Sequence, residues 1–547
     1  MKNPLPVLII PLFFIPGQAL QAQPAPAAEQ ARLDQSRQKI LRTAEALGIA
    51  VYEDLPAVSG GPSAPRAQAL PATVPPAAPA LPPEVPAPAQ QEPPPGNTMS
   101  KGNKLGYLVL AWHSVAAQVA DSGLLFWRYA APGFDAISES VETSVKRSAY
   151  SPRRAGESSL LEDPGFAAEM EDLTGARFSG GGTARALIDG PASFAVKDAL
   201  IRGAKRSIYI ASYAIYDDVT GSELTAMLLA KKREGVEIKV MVDEKMSHIF
   251  GGGQLKELDK AGVETVLYRD ADRPHDYLHV KLLIVDGENA VVGGMNYGDE
   301  YSHKGPGLKW RDTDVLYTGP AVDDSVKAFA ALWNPLAGGR GRVEPPSAPQ
   351  RASGPARIAV LPQNPPSMKP PILAAIIKAM SGATRNINIE NAYIVAIPAV
   401  NRAVQEARAR GVEVNILTNS KESIDSDGKS MADTIVEGTK VFAAAGANVY
   451  LKRGQTLHSK FMTVDGVFTC VGSYNLHPRS ERYDTEMNIA VLDRGAAAEF
   501  DEAFYRDIAE AKKMTLEELN KKKPGWFSRL VGKVGFSQLS RGLRPGE

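Results

Sequence analysis

Gly235-Val236-Glu237-Ile238-Lys239-Val240-Met241-Val242-Asp243 and Gly411-Val412-Glu413-Val414-Asn415-Ile416-Leu417-Thr418 are two copies of one pattern. Each follows an Ala-rich stretch of helical period, 226–232 and 403–410. Each of those follows a β-branched run, Ser207-Ile208-Tyr209-Ile210 and Asn386-Ile387-Asn388-Ile389. Strand, helix, strand is a βαβ unit, and repeating it predicts an α/β fold whose sheet is mixed, mostly parallel and covered by helices. The repeat spans 185–515. It divides into a first half at 185–337 and a second at 357–515, separated by a Gly/Pro/Ser-rich linker at 338–356. One chain then carries a pseudo-symmetric pair of halves, so a monomer is expected.

The remaining segments carry less. Lys2 followed by the apolar run 5–15 and small residues near Ala22 reads as a secretory signal peptide over 1–22, which predicts a periplasmic or secreted protein. Residues 23–55 have one amphipathic helical period. From 56 to 97 Pro and Ala dominate, so that stretch predicts an extended spacer. Residues 98–184 read as a helical or irregular extension. The segment 516–547 mixes Lys and Arg with Trp526, Phe527 and Phe536, and fits either an interfacial membrane contact or a solvated basic tail. The chain balances 62 Lys+Arg against 62 Asp+Glu, which points away from a generic nucleic-acid binder. Its single cysteine, Cys470, excludes an internal disulfide and reads as an inert core thiol.

The chemistry lies in a second duplication. His279-Val280-Lys281 with Asp286, Gly293, Gly294 and Asn296 returns as His458-Ser459-Lys460 with Asp465, Gly472, Ser473 and Asn475, every position shifted by 179. In His-x-Lys on a strand both side chains leave the same face, so an imidazole and an ammonium enter one site. Asp286-Gly287 and Asp465-Gly466 are turn signals, predicting a hairpin in each half. Centred between 287 and 288, the first hairpin would set Asn296 opposite His279 and Gly294 opposite Lys281. The second would set Asn475 opposite His458 and Ser473 opposite Lys460. The result is a phosphate-shaped pocket with a nucleophile or base, a fixed charge and amide donors.

These residues resemble the phospholipase D superfamily, whose signature is the doubled HxKx4D followed by Gly, Gly/Ser and Asn. Trp310-Arg311-Asp312-Thr313-Asp314 with Gly319-Pro320 also looks like the bacterial cardiolipin synthase branch. The resemblance implies that both motifs meet at one active site between the halves. One histidine would attack phosphorus to form a phosphohistidine while the other protonates the leaving oxygen and then activates water or an alcohol. By analogy His279 is the nucleophile and His458 the acid/base. Lys281, Lys460, Asn296 and Asn475 would neutralise the nonbridging oxygens. Asp314 and Glu486 would orient the histidines. Asp286 and Asp465 would be structural, and Gly293 and Gly472 would allow tight packing. Gly294 departs from the family, which often has Ser there, so a hydroxyl remains only at Ser473.

His275, His303 and His477 read as core histidines. A Lys on the same face as each motif His repels a cation, so no metal and no cofactor are expected. The fold leaves the phosphodiester open. The expectation is an exported phosphodiesterase or phosphatidyltransferase on phospholipid. A periplasmic nuclease and a catalytically silent envelope scaffold are the alternatives.

Overall fold

The computed structural model describes residues 136–521, except 270–275, 347–350, 353, 365–366, 368, 396 and 426–431. The expected signal peptide, the segment 23–55, the spacer 56–97, His275 and the tail beyond 521 lie outside the described residues.

The first half is built on β1 (Ser179–Ile188), β2 (Ser207–Ser212), β3 (Glu237–Asp243), β4 (Glu264–Tyr268), β5 (Leu282–Val285), β6 (Asn289–Gly293) and β7 (Thr313–Thr318). The second uses β8 (Ala356–Gln363), β9 (Asn386–Asn391), β10 (Glu413–Asn419), β11 (Asn448–Lys452), β12 (Lys460–Val464), β13 (Phe468–Gly472) and β14 (Glu486–Leu492), with β15 (Lys512–Met514) added at the edge. Their spatial orders, β1-β7-β6-β5-β2-β3-β4 and β8-β14-β13-β12-β9-β10-β11, are the same, and β1 pairs with β8 to join them. The duplication in sequence is thus a duplication in topology. The first half begins at Ser179, earlier than the repeat suggests, and the helices Ala136–Val145 and Pro164–Thr174 pack on the second half.

The sheet is mixed, but the expected mostly parallel character is corrected. Only β2-β3-β4 and β9-β10-β11 run parallel; the other described pairings in each half are antiparallel. The βαβ repeats account for three strands per half, whereas each motif hairpin turns on too few residues for a parallel crossover, and the strand after it also returns antiparallel.

The hairpin registers also differ from expectation by one residue. Leu282 pairs with Val292 and Phe461 with Val471, so Lys281 falls opposite Gly293 and Lys460 opposite Gly472. The cause is the turn. Asp286 (φ 56°) and Gly287 (φ 64°) both take the left-handed conformation, and Glu288 is a third loop residue before Asn289 pairs with Val285. Asp465 (φ 54°) and Gly466 (φ 62°) repeat this. Asp286 accepts backbone N–H bonds from Lys205, Arg206 and Ser207 at 2.9, 2.6 and 2.9 Å, and Asp465 from Thr384, Arg385 and Asn386 at 2.9, 2.7 and 3.1 Å. Each motif aspartate therefore ties its hairpin to the strand beside it.

Period-two alternation builds two layers of core in the first half. Leu283, Val285 and Val291 face the helices with Phe194, Ile201 and Leu228. Leu282, Ile284 and Val292 face inward, where they share a core with Val471, Met487 and Ile489 of the second half. That shared apolar layer holds the halves in one fixed relation, which positions everything below.

Candidate active site

Each motif histidine stands just before its hairpin strand, where the chain crosses to the other half. Leu278 bridges Thr485 and Arg311 bridges Leu457, both in parallel. His279 N–H donates to Thr485 O (2.9 Å), and His458 N–H donates to Arg311 O (2.7 Å). The backbone of each half thereby presents a carboxylate to the histidine of the other. His279 Nδ1 lies 2.9 Å from Glu486 Oε2, and His458 Nδ1 lies 2.7 Å from Asp312 Oδ2. With Nδ1 engaged, Nε2 of each ring is left for the substrate.

Asp312, not Asp314, orients His458, which corrects the expected residue. Asp314 lies beneath the site, where its Oδ2 is 2.6 Å from Lys197 Nζ and accepts from Ser193 Oγ (2.5 Å). Its counterpart is Asn488: Asp314 Oδ1 accepts Met295 N–H (3.3 Å) and Asn488 Oδ1 accepts Tyr474 N–H (3.1 Å). The signal was present in the sequence. Aligning Asp312-Thr313-Asp314-Val315 with Glu486-Met487-Asn488-Ile489 pairs Asp312 with Glu486. The loop after Asn296 is longer than the one after Asn475, so the constant offset of 179 fails there.

Ser473, expected opposite Lys460, instead holds Glu486: its Oγ donates to Oε2 (2.5 Å), and Ser480 Oγ donates to Oε1 (2.6 Å). In the first half Gly294 leaves that room to the acid itself, since a Cβ there would stand 2.1 Å from Asp312 Oδ1. Gly293 and Gly472 are close-approach glycines: a Cβ would reach Asp314 Oδ1 at 2.0 Å and Asn488 Oδ1 at 2.4 Å. Asp312 is held further by Asp189, whose N–H donates to Asp312 O (2.9 Å) and whose Oδ1 accepts Asp312 N–H (3.2 Å). Arg311 anchors the same segment through Asp507 (2.7 Å).

Lys281 Nζ donates to His279 O (2.7 Å), and Lys460 Nζ donates to His458 O. Burial pulls Lys281 to about 7, with Glu486 opposing it and Lys460 adding to it, and pulls Lys460 to about 8 against the pull of Asp312 and Glu486. Burial and then the two lysines hold His279 well below the ordinary imidazole range, so it is neutral. His458 is lowered by burial and Lys460 but is supported by Asp312. Burial raises Asp312, yet His458 and Lys460 outweigh it and keep the carboxylate ionised. Glu486 is pushed up, by burial first and by Asp484 next.

Asn296 Nδ2 donates to Tyr301 Oη (2.9 Å), and the Oδ1 atoms of both Asn296 and Asn475 are buried with no partner among the described residues. Each amide therefore keeps a buried oxygen free to accept. Sequence reasoning missed the aromatic wall: the rings of Tyr301 and Trp310 lie 5.2 and 5.3 Å from that of His458, and Tyr213 lies 5.1 Å from His279. His303 is a packing residue, with Nε2 on Trp310 O (2.8 Å). Cys470 is buried, and burial pushes its thiol up to about 12. Among the described residues no group of three or more His, Cys, Asp or Glu is placed to hold a metal ion, and no helix is long and apolar enough to cross a membrane.

The comparisons agree with this geometry. The family described as cardiolipin synthase, PLD-like domain, matches twice, at 198–327 and 376–508, once in each half. Cardiolipin synthase A of Pseudomonas fluorescens (strain SBW25) is 30% identical over 346 residues, covering 61% of this chain and 70% of that protein. The chain belongs to the phospholipase D superfamily. With both motifs of that superfamily complete and assembled, it is a phospholipase D-type enzyme. Cardiolipin synthase A of Pseudomonas entomophila (strain L48) is 28% identical over 350 residues, with 61% and 70% of the two chains covered. The crystal structure of phosphatidylserine synthase from Haemophilus influenzae Rd KW20 aligns with TM-score 0.55 at 16% identity, over 69% of this chain and 98% of the other, and so shares the phospholipase D fold.

Proposed function

We propose that the protein is a phosphatidyltransferase or phospholipase D acting on phospholipid through a phosphohistidine. The observation that carries the reading is the crossed pair of histidine–carboxylate contacts, which gives the two imidazoles different partners in one site. Its relatives, named cardiolipin synthases, support the choice of phospholipid.

Neutral His279 attacks phosphorus through Nε2, forming a P–N bond as the P–O bond to the leaving alcohol breaks. His458, whose imidazolium is stabilised by ionised Asp312, gives its Nε2 proton to the departing oxygen. Now neutral, His458 takes the proton of an incoming alcohol or water, whose oxygen attacks phosphorus and displaces His279. Lys281, Lys460 and the two asparagine amides stabilise the nonbridging oxygens as charge grows on them.

The lysine values give a pH signature. An anionic diester binds the ammonium forms, so kcat/KM falls as pH rises through about 7 and 8, where the free enzyme loses those protons. Bound diester raises both lysines, so kcat holds to higher pH than kcat/KM. Paired profiles on a soluble diester check this, and a kcat/KM flat to pH 9 would contradict it.

The export reading from residues 1–22 places the enzyme beside the bacterial envelope, with the basic segment beyond 521 as a peripheral lipid contact and the chain as a monomer. The test of the substrate is incubation of the full chain with phosphatidylglycerol vesicles containing deuterated glycerol, and separately with plasmid DNA, both with EDTA. Phosphatidic acid or new phosphatidyl-alcohol is the expected product. Cleaved DNA with untouched lipid would replace the reading with a nuclease.

A further inference from the structure

His477 was expected to be a core histidine, yet its surroundings are those of the site. It caps the short helix Pro478–Arg482, with Nδ1 accepting Ser480 N–H at 3.1 Å. A ring nitrogen that accepts carries no proton, so the hydrogen of the neutral ring is on Nε2. The residue is 8% exposed, and no described residue accepts from Nε2. Its ring lies 6.5 Å from that of Tyr393, which in turn lies 6.3 Å from that of His458. Tyr393 Oη donates to the Asp425 carboxylate. Burial, then Arg479 and Lys460, drive the His477 imidazole down to about 3, so it stays neutral.

The other half has no equivalent. Two residues after Asn296 stands Gly298, where a Cβ would already meet the Tyr216 ring at 3.0 Å. The position two residues after the motif asparagine therefore carries an N–H donor in the second half and none in the first. Its phosphate donors are in place on both sides, so a neutral donor next to a Tyr–carboxylate pair suits an uncharged oxygen rather than a second anion. A hydroxyl matches that set, since it accepts from Nε2–H and donates to a carboxylate.

We propose that His477, with Tyr393 and Asp425, forms the subsite for a second hydroxyl of the acceptor alcohol and so selects a polyol over a monohydroxy alcohol or water. This rests on the transferase reading above, in which the acceptor approaches His458. The neutral cap on Ser480 fixes the ring so that Nε2–H is presented without a proton to lose.

The test is acceptor partitioning by the full-length enzyme, wild type and His477→Ser. Serine is itself a good helix cap and is uncharged, but it is too short to present the donor, so the cap role is kept while the proposed one is removed. Bis(p-nitrophenyl) phosphate serves as a lipid-free diester, with deuterated glycerol and ethanol competing, and phosphatidylglycerol vesicles form a second arm in which the label marks the glycerol product. Wild type should favour glycerol, and His477→Ser should lower the glycerol-to-ethanol product ratio by about tenfold. His477→Asn, a second neutral cap, should also lower it. An unchanged ratio in both variants, or no glycerol preference in wild type, would overturn the proposal. Preference on the aryl diester with no lipid product would instead overturn the phospholipid reading and leave the polyol subsite standing.

Discussion

His458→Ala is expected to lower steady-state kcat by about 10⁴-fold, the loss typical of a removed acid/base group. The two half-reactions should separate in this variant. A p-nitrophenolate leaving group departs without a proton, so His279 can still attack and release one equivalent. The second step needs a base to activate water or alcohol, and it stalls. His458→Ala should therefore give a burst of about one p-nitrophenol per enzyme followed by almost no turnover, whereas His279→Ala should give no burst. Stopped-flow absorbance distinguishes them. Equal bursts, or none in either variant, would contradict the division of labour.

The second large effect separates two carboxylates only two residues apart. Asp312→Asn is expected to lower kcat by about 10²- to 10⁴-fold with a modest change in Tm, because the amide removes the negative charge that fixes the His458 tautomer and stabilises its imidazolium. Asp314→Asn should do the reverse. It leaves the buried Lys197 ammonium without its carboxylate, at a cost of about 3 kcal/mol in stability. The folded fraction should turn over within a few-fold of wild type, since Asp314 is bonded to Ser193, Lys197 and the Met295 N–H rather than to a motif histidine. Thermal melts beside kcat measured per folded molecule make the comparison. A catalytic loss confined to Asp314→Asn would restore the acid that sequence spacing favours.

That exchange shows where the sequence was legible. The βαβ repeats and the two His-x-Lys strings revealed a doubled α/β fold with its motif residues, because local periodicity and turn chemistry decide them. The antiparallel majority of the sheet was hidden, since a strand's partner depends on long-range order rather than on its own pattern. The one-residue shift in both hairpins came from a loop of three rather than two residues, which Asp-Gly alone does not specify. Asp312 and Asp314 share strand alternation, so only internal alignment with Glu486 and Asn488 tells them apart. His477, Tyr393, Tyr301 and Trp310 reach the site through tertiary contact, and no spacing rule singles them out.

In the proposed reaction His279, oriented by Glu486 from the other half, carries the phosphoryl group while His458 moves the protons. The most direct measurement is to mix His458→Ala with bis(p-nitrophenyl) phosphate, quench in alkaline urea, where a phosphoramidate survives, and locate the adduct by peptide mass spectrometry. A nitrophenyl-phosphoryl group is expected on His279 at near one per chain. An adduct on His458 in the His279→Ala variant, with none on His279 in His458→Ala, would contradict it.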